Sequence, residues 1–339
     1  MKVLFGGYTD HASQGLYEAF LDQQNPNPSI TNLKNIIQLQ RPTYFQTDGS
    51  LLFTISQNGK QAGIASYRLI GQNYVQIDAF YHPGAAPCYL ALSKNKKLIY
   101  TANYHLGTLS IFQYDEQGHL QFISSCQHTG HGKLKEQDAA HPHFFNQTPQ
   151  GNLVSCDLGL DRLDFYTFDG NQLKHVANYQ MEAGFGTRHV RFSVDGHYMY
   201  VVGELSSKVN VIQIDETNWN FAEIDSVKTI PESYSEHNGA AAIRISNDDK
   251  FLYVTNRGHD SIAIYRILAN HHLDLIQRIP VYGAFPRDFN FNSQQNLLVV
   301  ANQNSNNATL YKRNQKLGTL VPIQKDFYVP EPTRVIILD

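Results

Sequence analysis

A repeat of 46 to 54 residues limits the folds that this chain can adopt. Each copy contains a short run of apolar residues that ends in a polar residue. The polar residues that end these runs are Ser56, Asn103, Asp157, Glu204, Asn256 and Asn302. They follow one another at intervals of 47, 54, 47, 52 and 46 residues. Repeats of this length that consist of strands are typical of β-propellers, in which each repeat forms one blade of four strands.

Each apolar run is predicted to be the second strand of its repeat and to follow a first strand. For the run that ends at Ser56, the first strand is predicted over residues 41–45. In residues 141–157, an apolar stretch beginning at His141 is joined to a second stretch ending at Asp157 by a Pro149-Gln-Gly151 turn. In an antiparallel hairpin the start of one strand lies beside the end of its partner, so His141 and His143 are expected beside Asp157. An alternating third strand and a weaker fourth strand complete the repeat. The second strands are almost continuously apolar, which indicates sheets that are covered on both faces.

The two ends of the chain supply the last repeat. Residues 331–339 have the pattern of a first strand with no second strand after it, and residues 2–8 have the pattern of a second strand with no first strand before it. Pairing these two segments closes a ring and removes an unpaired sheet edge. The sequence therefore predicts an all-β fold: a single domain over residues 1–339 that forms a seven-bladed β-propeller with four-stranded antiparallel blades and little helix.

Composition excludes several classes of partner. Charged residues make up 17% of the chain and the formal net charge is −3, so no broad electrostatic field favours nucleic acid or an anionic membrane. Cys88, Cys126 and Cys156 have no C-x-x-C spacing, which argues against a disulfide framework and a zinc ribbon. The first apolar segment meets Asp10 before it is long enough for export, and no stretch reaches the length of a membrane span. We expect no nucleic-acid or membrane partner and a cytoplasmic location.

Polar residues are concentrated where first strands start and second strands end. If the first strands lie innermost, these positions surround one opening of the central channel, and two long loops, roughly 129–140 and 231–238, reach the same face. The residues at these positions are Tyr8, Ser56, Asn103, Tyr104, His141, His143, Asp157, Arg188, His189, Glu204, His237, Asn256, Arg257, Arg287, Asp288, Gln303 and Arg334. Any one of them is also explained by a hydrogen bond to a neighbouring loop, but their concentration favours a binding or catalytic site.

Several polar motifs resemble those of a known family. They are His141-Pro-His143, Asp157-Leu-Gly-Leu-Asp-Arg162, Gly186-Thr-Arg-His-Val190, Gly203-Glu-Leu205, Asn256-Arg-Gly-His-Asp-Ser-Ile262, Pro286-Arg-Asp-Phe289 and Ala301-Asn-Gln303. This set resembles the bacterial lactonase family that includes the propeller-type 6-phosphogluconolactonases, and more distantly the fungal carboxymuconate lactonizing enzymes. The resemblance covers essentially the whole chain and follows the repeats in order.

The resemblance implies a set of site residues. The positions that match the catalytic set of the lactonizing enzymes are His143, Glu204, Arg188 and Arg257. Candidates for binding the substrate are His141, His189, His237, Arg287, Gln303 and Asn103, of which His189, His237 and Arg287 are suited to a charged tail of the substrate.

The chemistry of these residue types suits lactone hydrolysis. A neutral histidine such as His143 can accept a proton from water near pH 7, and Glu204 either orients it or acts as the base itself. Arginine side chains can hold a carboxylate, a phosphate or a developing oxyanion. A metal site at His141 and His143 lacks an evident third ligand, and no G-x-S-x-G nucleophile motif exists. No metal or other cofactor is predicted.

The leading prediction is a lactonase acting on a small-molecule lactone of a sugar acid. The specific reaction expected is conversion of 6-phosphogluconolactone to 6-phosphogluconate, a step of the pentose phosphate pathway. Two alternatives stay open at this point: a cycloisomerase of the muconate type, and a non-catalytic propeller that binds a protein partner.

Overall fold

The structure, a computed structural model, describes residues 1–23 and 26–338. Within these residues the strands form seven four-stranded antiparallel sheets. The helical content of the same residues is one 3-10 turn, Lys135–Gln137. The predictions of seven four-stranded units and of little helix are confirmed.

The strand boundaries follow the repeat. In chain order the strands are β1 (Lys2–Gly7), β2 (Gly15–Asp22), β3 (Ser29–Gln38), β4 (Phe45–Asp48), β5 (Leu51–Asn58), β6 (Gln61–Ile70), β7 (Asn73–Pro83), β8 (Tyr89–Ser93), β9 (Leu98–Asn103), β10 (Thr108–Tyr114), β11 (Leu120–Gln127), β12 (Pro142–Gln147), β13 (Leu153–Asp157), β14 (Arg162–Phe168), β15 (Leu173–Gln180), β16 (Thr187–Phe192), β17 (Tyr198–Gly203), β18 (Lys208–Asp215), β19 (Asn220–Lys228), β20 (Gly239–Ile245), β21 (Phe251–Arg257), β22 (Ser261–Ile267), β23 (Leu273–Pro280), β24 (Pro286–Phe291), β25 (Leu297–Asn302), β26 (Asn307–Arg313), β27 (Leu320–Tyr328) and β28 (Pro332–Leu338). Six sheets take four consecutive strands each, from β4–β7 to β24–β27, and the seventh has the order β28-β1-β2-β3.

The chain forms two compact units. The terminal unit contains Met1–Thr43, Ser207–Val211 and Glu223–Asp339, and the central unit contains Tyr44–Ser206 and Ile212–Ala222. The core of the central unit includes the large buried rings of Phe53, Phe145 and Phe165. The terminal unit has two core clusters, one around β1 and β25 and one around β21 and β24. The prediction of one domain over residues 1–339 stays a prediction.

Burial explains the difference between second and fourth strands. All six residues of β9 and all six of β25 are buried, because these strands have another strand on each side and are covered on both faces. The outer strands β11 and β15 contain no fully buried residue, and half-buried and exposed positions alternate over much of their length. The apolar composition of the second strands is therefore a consequence of their position inside the sheet, as the sequence predicted.

The first and last strands close one sheet. β1 pairs with β28 in antiparallel register along its whole length, and both strands belong to the terminal unit. Just before β28, the carboxylate of Glu331 accepts backbone N–H bonds of 3.0 to 3.1 Å from Asp10, His11 and Ser13, which holds the loop after β1 in place. The predicted closure by the two terminal strands is confirmed, although Asp339 lies outside the described residues.

One predicted strand is misplaced. The sequence assigned residues 41–45 to a first strand, but the strand is β4, which begins only at Phe45. The physical reason is a tight turn: Arg41 has a φ of 53°, and the N–H of Thr43 donates to the carbonyl of Arg41 at 2.7 Å. In the part of the chain that the structure describes, no helix has the length and apolar character needed to cross a membrane.

Candidate active site

Three predicted site residues occupy β-bulges. In three sheets, the pairing of the first strand with the second strand skips one residue of the first strand. The skipped residues are His143 in β12, Arg188 in β16 and Arg287 in β24. A bulge inserts an unpaired residue that bends the strand and re-aims the side chain, and bulges are common next to active sites. The three residues therefore point where regular strand alternation would not place them.

His143 contacts a second histidine of the central unit. Its Nδ1 lies 3.2 Å from Nε2 of His189, and the two ring centroids are 5.1 Å apart. Both side chains are buried, and the ring of His189 also packs against Tyr89 and Phe144, with centroid distances of 5.3 and 5.4 Å. The structure thus places His189 against the predicted general base.

Arg188, which directly precedes His189, forms an ion pair with Glu204. Its Nε lies 2.8 Å from Oε2 of Glu204, and the guanidinium is buried whereas the carboxylate is about one-fifth exposed. The prediction that the start of β16 lies beside the end of β17 is confirmed, since Thr187 is opposite Gly203. This pair places a positive and a negative charge side by side at the end of the sheet.

Gly186 sets the spacing between the arginine and the glutamate. It has a φ of 69°, and its carbonyl accepts the N–H of Glu204 at 2.8 Å. A Cβ at this position would lie 2.8 Å from the backbone nitrogen of Leu205, so a side chain does not fit. The carboxylate of Asp161 accepts the N–H of Gly186 at 2.6 Å and fixes the turn before β16.

His141 has a different environment from His143. Its ring stacks on Tyr104 with a centroid distance of 4.1 Å, its Nδ1 contacts the carbonyl of Tyr104 at 2.8 Å, and its Nε2 contacts Oδ1 of Asp138 at 2.9 Å. The hydrogen bond to His141 lowers the pKa of the exposed Asp138 carboxyl. Both nitrogens of His141 are therefore engaged within the protein, and a substrate contact at this residue stays a prediction.

Asp157 is part of a buried network that the sequence did not reveal. Its Oδ1 accepts the N–H of His141 at 2.8 Å, which confirms that the two lie side by side, and its Oδ2 lies 2.7 Å from Nδ1 of His128. Nε2 of His128 lies 2.6 Å from the hydroxyl of Tyr166. Burial alone would lower the pKa of His128, but the hydrogen bond to Asp157 raises it to about 9. The signal in the sequence was the position of His128, which immediately precedes a long loop.

Asn103 stabilises a turn. Its side-chain amide donates to the carbonyl of Ala85 at 2.8 Å, and its side-chain oxygen accepts the N–H of Leu106 at 3.1 Å. Both halves of the amide are used by the backbone of the central unit. The structure therefore gives Asn103 a structural role, and substrate binding by Asn103 stays a prediction.

Arg257 and His237 are neighbours in the terminal unit. Nε of the buried Arg257 donates to the carbonyl of Gly239 at 3.1 Å, and its guanidinium lies 5.1 Å from the ring centroid of Phe285. His237 is exposed, and its carbonyl lies close to Gly258. A Cβ on Gly258 would lie only 2.1 Å from the carbonyl oxygen of His237. The 231–238 loop thus lies next to Gly258, the residue after Arg257, and its role at a binding site stays a prediction.

Arg287 and Gln303 are also brought together in the terminal unit. NH1 of Arg287 donates to Oε1 of Gln303 at 3.3 Å, and the guanidinium lies 5.6 Å from the ring centroid of Tyr8. Both side chains are half-buried. Arginine presents a planar set of N–H donors that fits carboxylate and phosphate groups, so this pair is suited to bind an anion.

Asp288 holds two arginines of the terminal unit. Its Oδ2 lies 2.7 Å from NH1 of Arg334, and its Oδ1 lies 2.9 Å from NH2 of Arg244. Burial raises the pKa of Asp288, but the charges of Arg334 and Arg244 outweigh this effect, so the pKa lies below its usual value. The sequence pointed to Asp288 and Arg334 but not to Arg244, which lies farther along its strand.

Over residues 1–23 and 26–338, no group of three or more histidine, cysteine, aspartate or glutamate side chains has the geometry of a metal site. Within the central unit the structure pairs Arg188 with Glu204 and His143 with His189, and Arg188 and His189 are consecutive in β16. Within the terminal unit it brings Arg287 beside Gln303, and the carbonyl of His237 beside Gly258, which follows Arg257. The prediction that these residues form one site stays a prediction.

Comparison with known proteins identifies the class. A family model described as Lactonase, 7-bladed beta-propeller, matches residues 2–337. The chain is 32% identical to the 6-phosphogluconolactonase of Bacillus subtilis, over 97% of this chain and 96% of that protein. A solved structure of a protein from Lactobacillus plantarum has a TM-score of 0.96 and 40% identity, covering 100% of this chain and 99% of that one. The periplasmic gluconolactonase PpgL of Pseudomonas aeruginosa has a TM-score of 0.90 and 26% identity, covering 99% and 98%.

The fold is therefore a seven-bladed β-propeller, as predicted from the repeat. The chain belongs to the seven-bladed lactonase family, and the resemblance drawn from its polar motifs is confirmed.

Proposed function

We propose that this protein hydrolyses 6-phosphogluconolactone to 6-phosphogluconate. The observation that carries the proposal is the ion pair of Arg188 with Glu204; His189, the residue after Arg188, contacts the buried His143. A base, a carboxylate and a guanidinium in one unit are the groups that lactone opening requires. The similarity to the 6-phosphogluconolactonase of Bacillus subtilis supports a phosphorylated substrate.

In the proposed mechanism, His143 takes a proton from the attacking water. Hydroxide adds to the lactone carbonyl, and the charge that develops on the carbonyl oxygen is stabilised by the guanidinium of Arg188. A carboxylate paired with a guanidinium is a weaker base, so Glu204 is assigned to holding Arg188 and His143 to accepting the proton. The tetrahedral intermediate then collapses, the ring C–O bond breaks, and the leaving alkoxide takes the proton from His143.

Arginines of the terminal unit are proposed as anion-binding residues. Arg287 with Gln303 and the buried Arg257 offer donors for a phosphate. Phosphate binding by these residues is part of the proposal. A cytoplasmic location and a place in the pentose phosphate pathway follow from the proposed substrate and are proposed with it.

The test is acid release from freshly prepared 6-phosphogluconolactone at constant pH. Purified protein is expected to exceed the spontaneous rate, and Glu204→Gln and Arg188→Gln are expected to lower kcat/KM by about 100-fold or more. Arg162→Gln is the control, because Arg162 also forms an ion pair of 2.8 Å, with Asp164, and is not one of the predicted site residues. A wild-type rate equal to the spontaneous rate would refute the proposal.

The likeness to PpgL favours a second candidate substrate, gluconolactone without phosphate. The two substrates are separated by kcat/KM values measured on both lactones with the same preparation. A phosphate requirement predicts that Arg287→Gln lowers kcat/KM on the phosphorylated lactone alone. An equal loss on both lactones, or none on either, would assign the arginine to another role.

A further inference from the structure

The contact between His143 and His189 restricts where protons can be. Nδ1 of His143 and Nε2 of His189 are 3.2 Å apart, and only 6% and 5% of the two residues are exposed. A neutral imidazole has one nitrogen that donates and one that accepts, so a single proton lies between these two atoms. Two arrangements satisfy the contact, and they differ in the chemistry that they allow.

In the first arrangement, His189 donates from Nε2 and Nδ1 of His143 accepts. The proton of a neutral His143 is then on Nε2, so His143 has no remaining basic nitrogen. In the second arrangement, Nδ1–H of His143 donates to Nε2 of His189, and Nε2 of His143 is the basic nitrogen. The second arrangement is the one that a general base at His143 requires.

We propose that His189 is a positioning residue that accepts a hydrogen bond from Nδ1–H of His143 and so keeps Nε2 of His143 basic. The inference rests on the proposed function, because it takes His143 as the base. It replaces the sequence-based assignment of His189 to the charged tail of the substrate. When His143 takes a proton from water, the same hydrogen bond stabilises its imidazolium.

The surroundings of His189 support a positioning role. Its ring packs edge-on to Tyr89 and against Phe144 at centroid distances of 5.3 and 5.4 Å. It follows the bulged Arg188 in β16, so the backbone irregularity that re-aims the arginine also sets where the next residue lies. A ring packed between aromatic side chains holds its Nε2 against His143 and offers little surface to a substrate.

Two substitutions separate the hydrogen bond from the packing. His189→Phe keeps an aromatic ring beside Tyr89 and Phe144 but removes the acceptor. His189→Gln removes the ring but keeps a polar group of similar reach that can accept from His143. We expect His189→Phe to lower kcat by about 10- to 100-fold with little change in KM, and His189→Gln to retain more activity than His189→Phe.

The pH profile provides a second readout. Loss of the acceptor removes the stabilisation of the imidazolium of His143, so the acid limb of the kcat/KM profile of His189→Phe is expected to move to lower pH. An increase in KM at constant kcat would instead assign His189 to substrate binding. Full activity in His189→Phe with loss in His189→Gln would assign it to packing alone. Either result overturns the proposal.

A measurement that needs no activity distinguishes failure of this inference from failure of the proposed function. Nitrogen NMR of imidazole-labelled protein separates protonated from bare ring nitrogens, and a His143→Gln sample assigns the signals of His143. At a pH where both rings are neutral, we expect Nδ1 of His143 to be protonated and Nε2 to be bare. The opposite tautomer overturns the inference whether or not the lactone is hydrolysed.

Discussion

The charged state of His128 is expected to make the stability of this protein depend on pH above neutrality. His128 is buried between Asp157 and Tyr166; burial lowers its pKa, but the hydrogen bond to the Asp157 carboxylate outweighs this effect and the pKa is raised to about 9. In the unfolded chain the pKa is close to the usual value of about 6.5. Because the folded-state pKa is the higher one, the folded protein binds this proton more tightly than the unfolded chain does.

The magnitude follows from the difference between the two pKa values. A difference of about 2.5 pKa units corresponds to about 3 kcal/mol of unfolding free energy. This contribution is fully present below pH 6.5 and is lost as the pH rises through about 9. We therefore expect the free energy of unfolding to fall by about 3 kcal/mol between pH 6 and pH 10 on account of this residue.

Urea unfolding followed by fluorescence measures the effect. The chain has a single tryptophan, Trp219, whose ring packs on Phe165 of β14 at a centroid distance of 5.2 Å, so its emission reports on the strand that also contains Tyr166. His128→Gln is the control, because it removes the titrating group. The difference in unfolding free energy between wild type and variant should shrink as the pH rises. A difference that stays constant from pH 6 to pH 10 would refute the reasoning.

Two further substitutions test how the fold positions the site. Gly186→Ala forces a side chain into a backbone with a φ of 69° and towards the nitrogen of Leu205. It is expected to lower the free energy of unfolding by about 1 to 3 kcal/mol, measured by thermal or urea unfolding, and to lower kcat more than it raises KM. Wild-type kcat in a folded variant would contradict the role of this turn. Glu331→Ala removes the carboxylate that accepts three N–H bonds from residues 10–13. It is expected to lower the free energy of unfolding by about 3 kcal/mol and to make that loop susceptible to limited proteolysis. Unchanged cleavage would show that other contacts hold the loop.

The fold could be predicted because its determinants lie within single repeats. The apolar second strands, the turns that precede them and the unmatched strands at the two ends of the chain are all local features of the sequence. The prediction of a strand over residues 41–45 was wrong because the turn at Arg41 depends on a positive φ at a non-glycine residue. No local sequence pattern indicates such a φ. Strand existence was therefore better predicted than strand boundaries.

The site could be predicted only in its outline. Spacing placed Arg188 beside Glu204, because one residue starts a strand and the other follows the end of its partner. Spacing could not show that His189 contacts His143, since that contact joins two different sheets. It also could not show that Asp157 is engaged by His128, because His128 lies in a loop between two sheets.

The recurring bulge explains why different repeats contribute different chemistry from the same position. In β12, β16 and β24 the second residue of the first strand is the one that the register skips, and the residues at this position are His143, Arg188 and Arg287. A residue that the register skips lies outside the regular ladder, so its side chain can change without altering the pairing of the strand. The flanking residues remain paired and buried, which preserves the sheet. The bulge thus fixes where the side chain at this position projects, and the residue at each bulge decides whether that point offers an imidazole or a guanidinium.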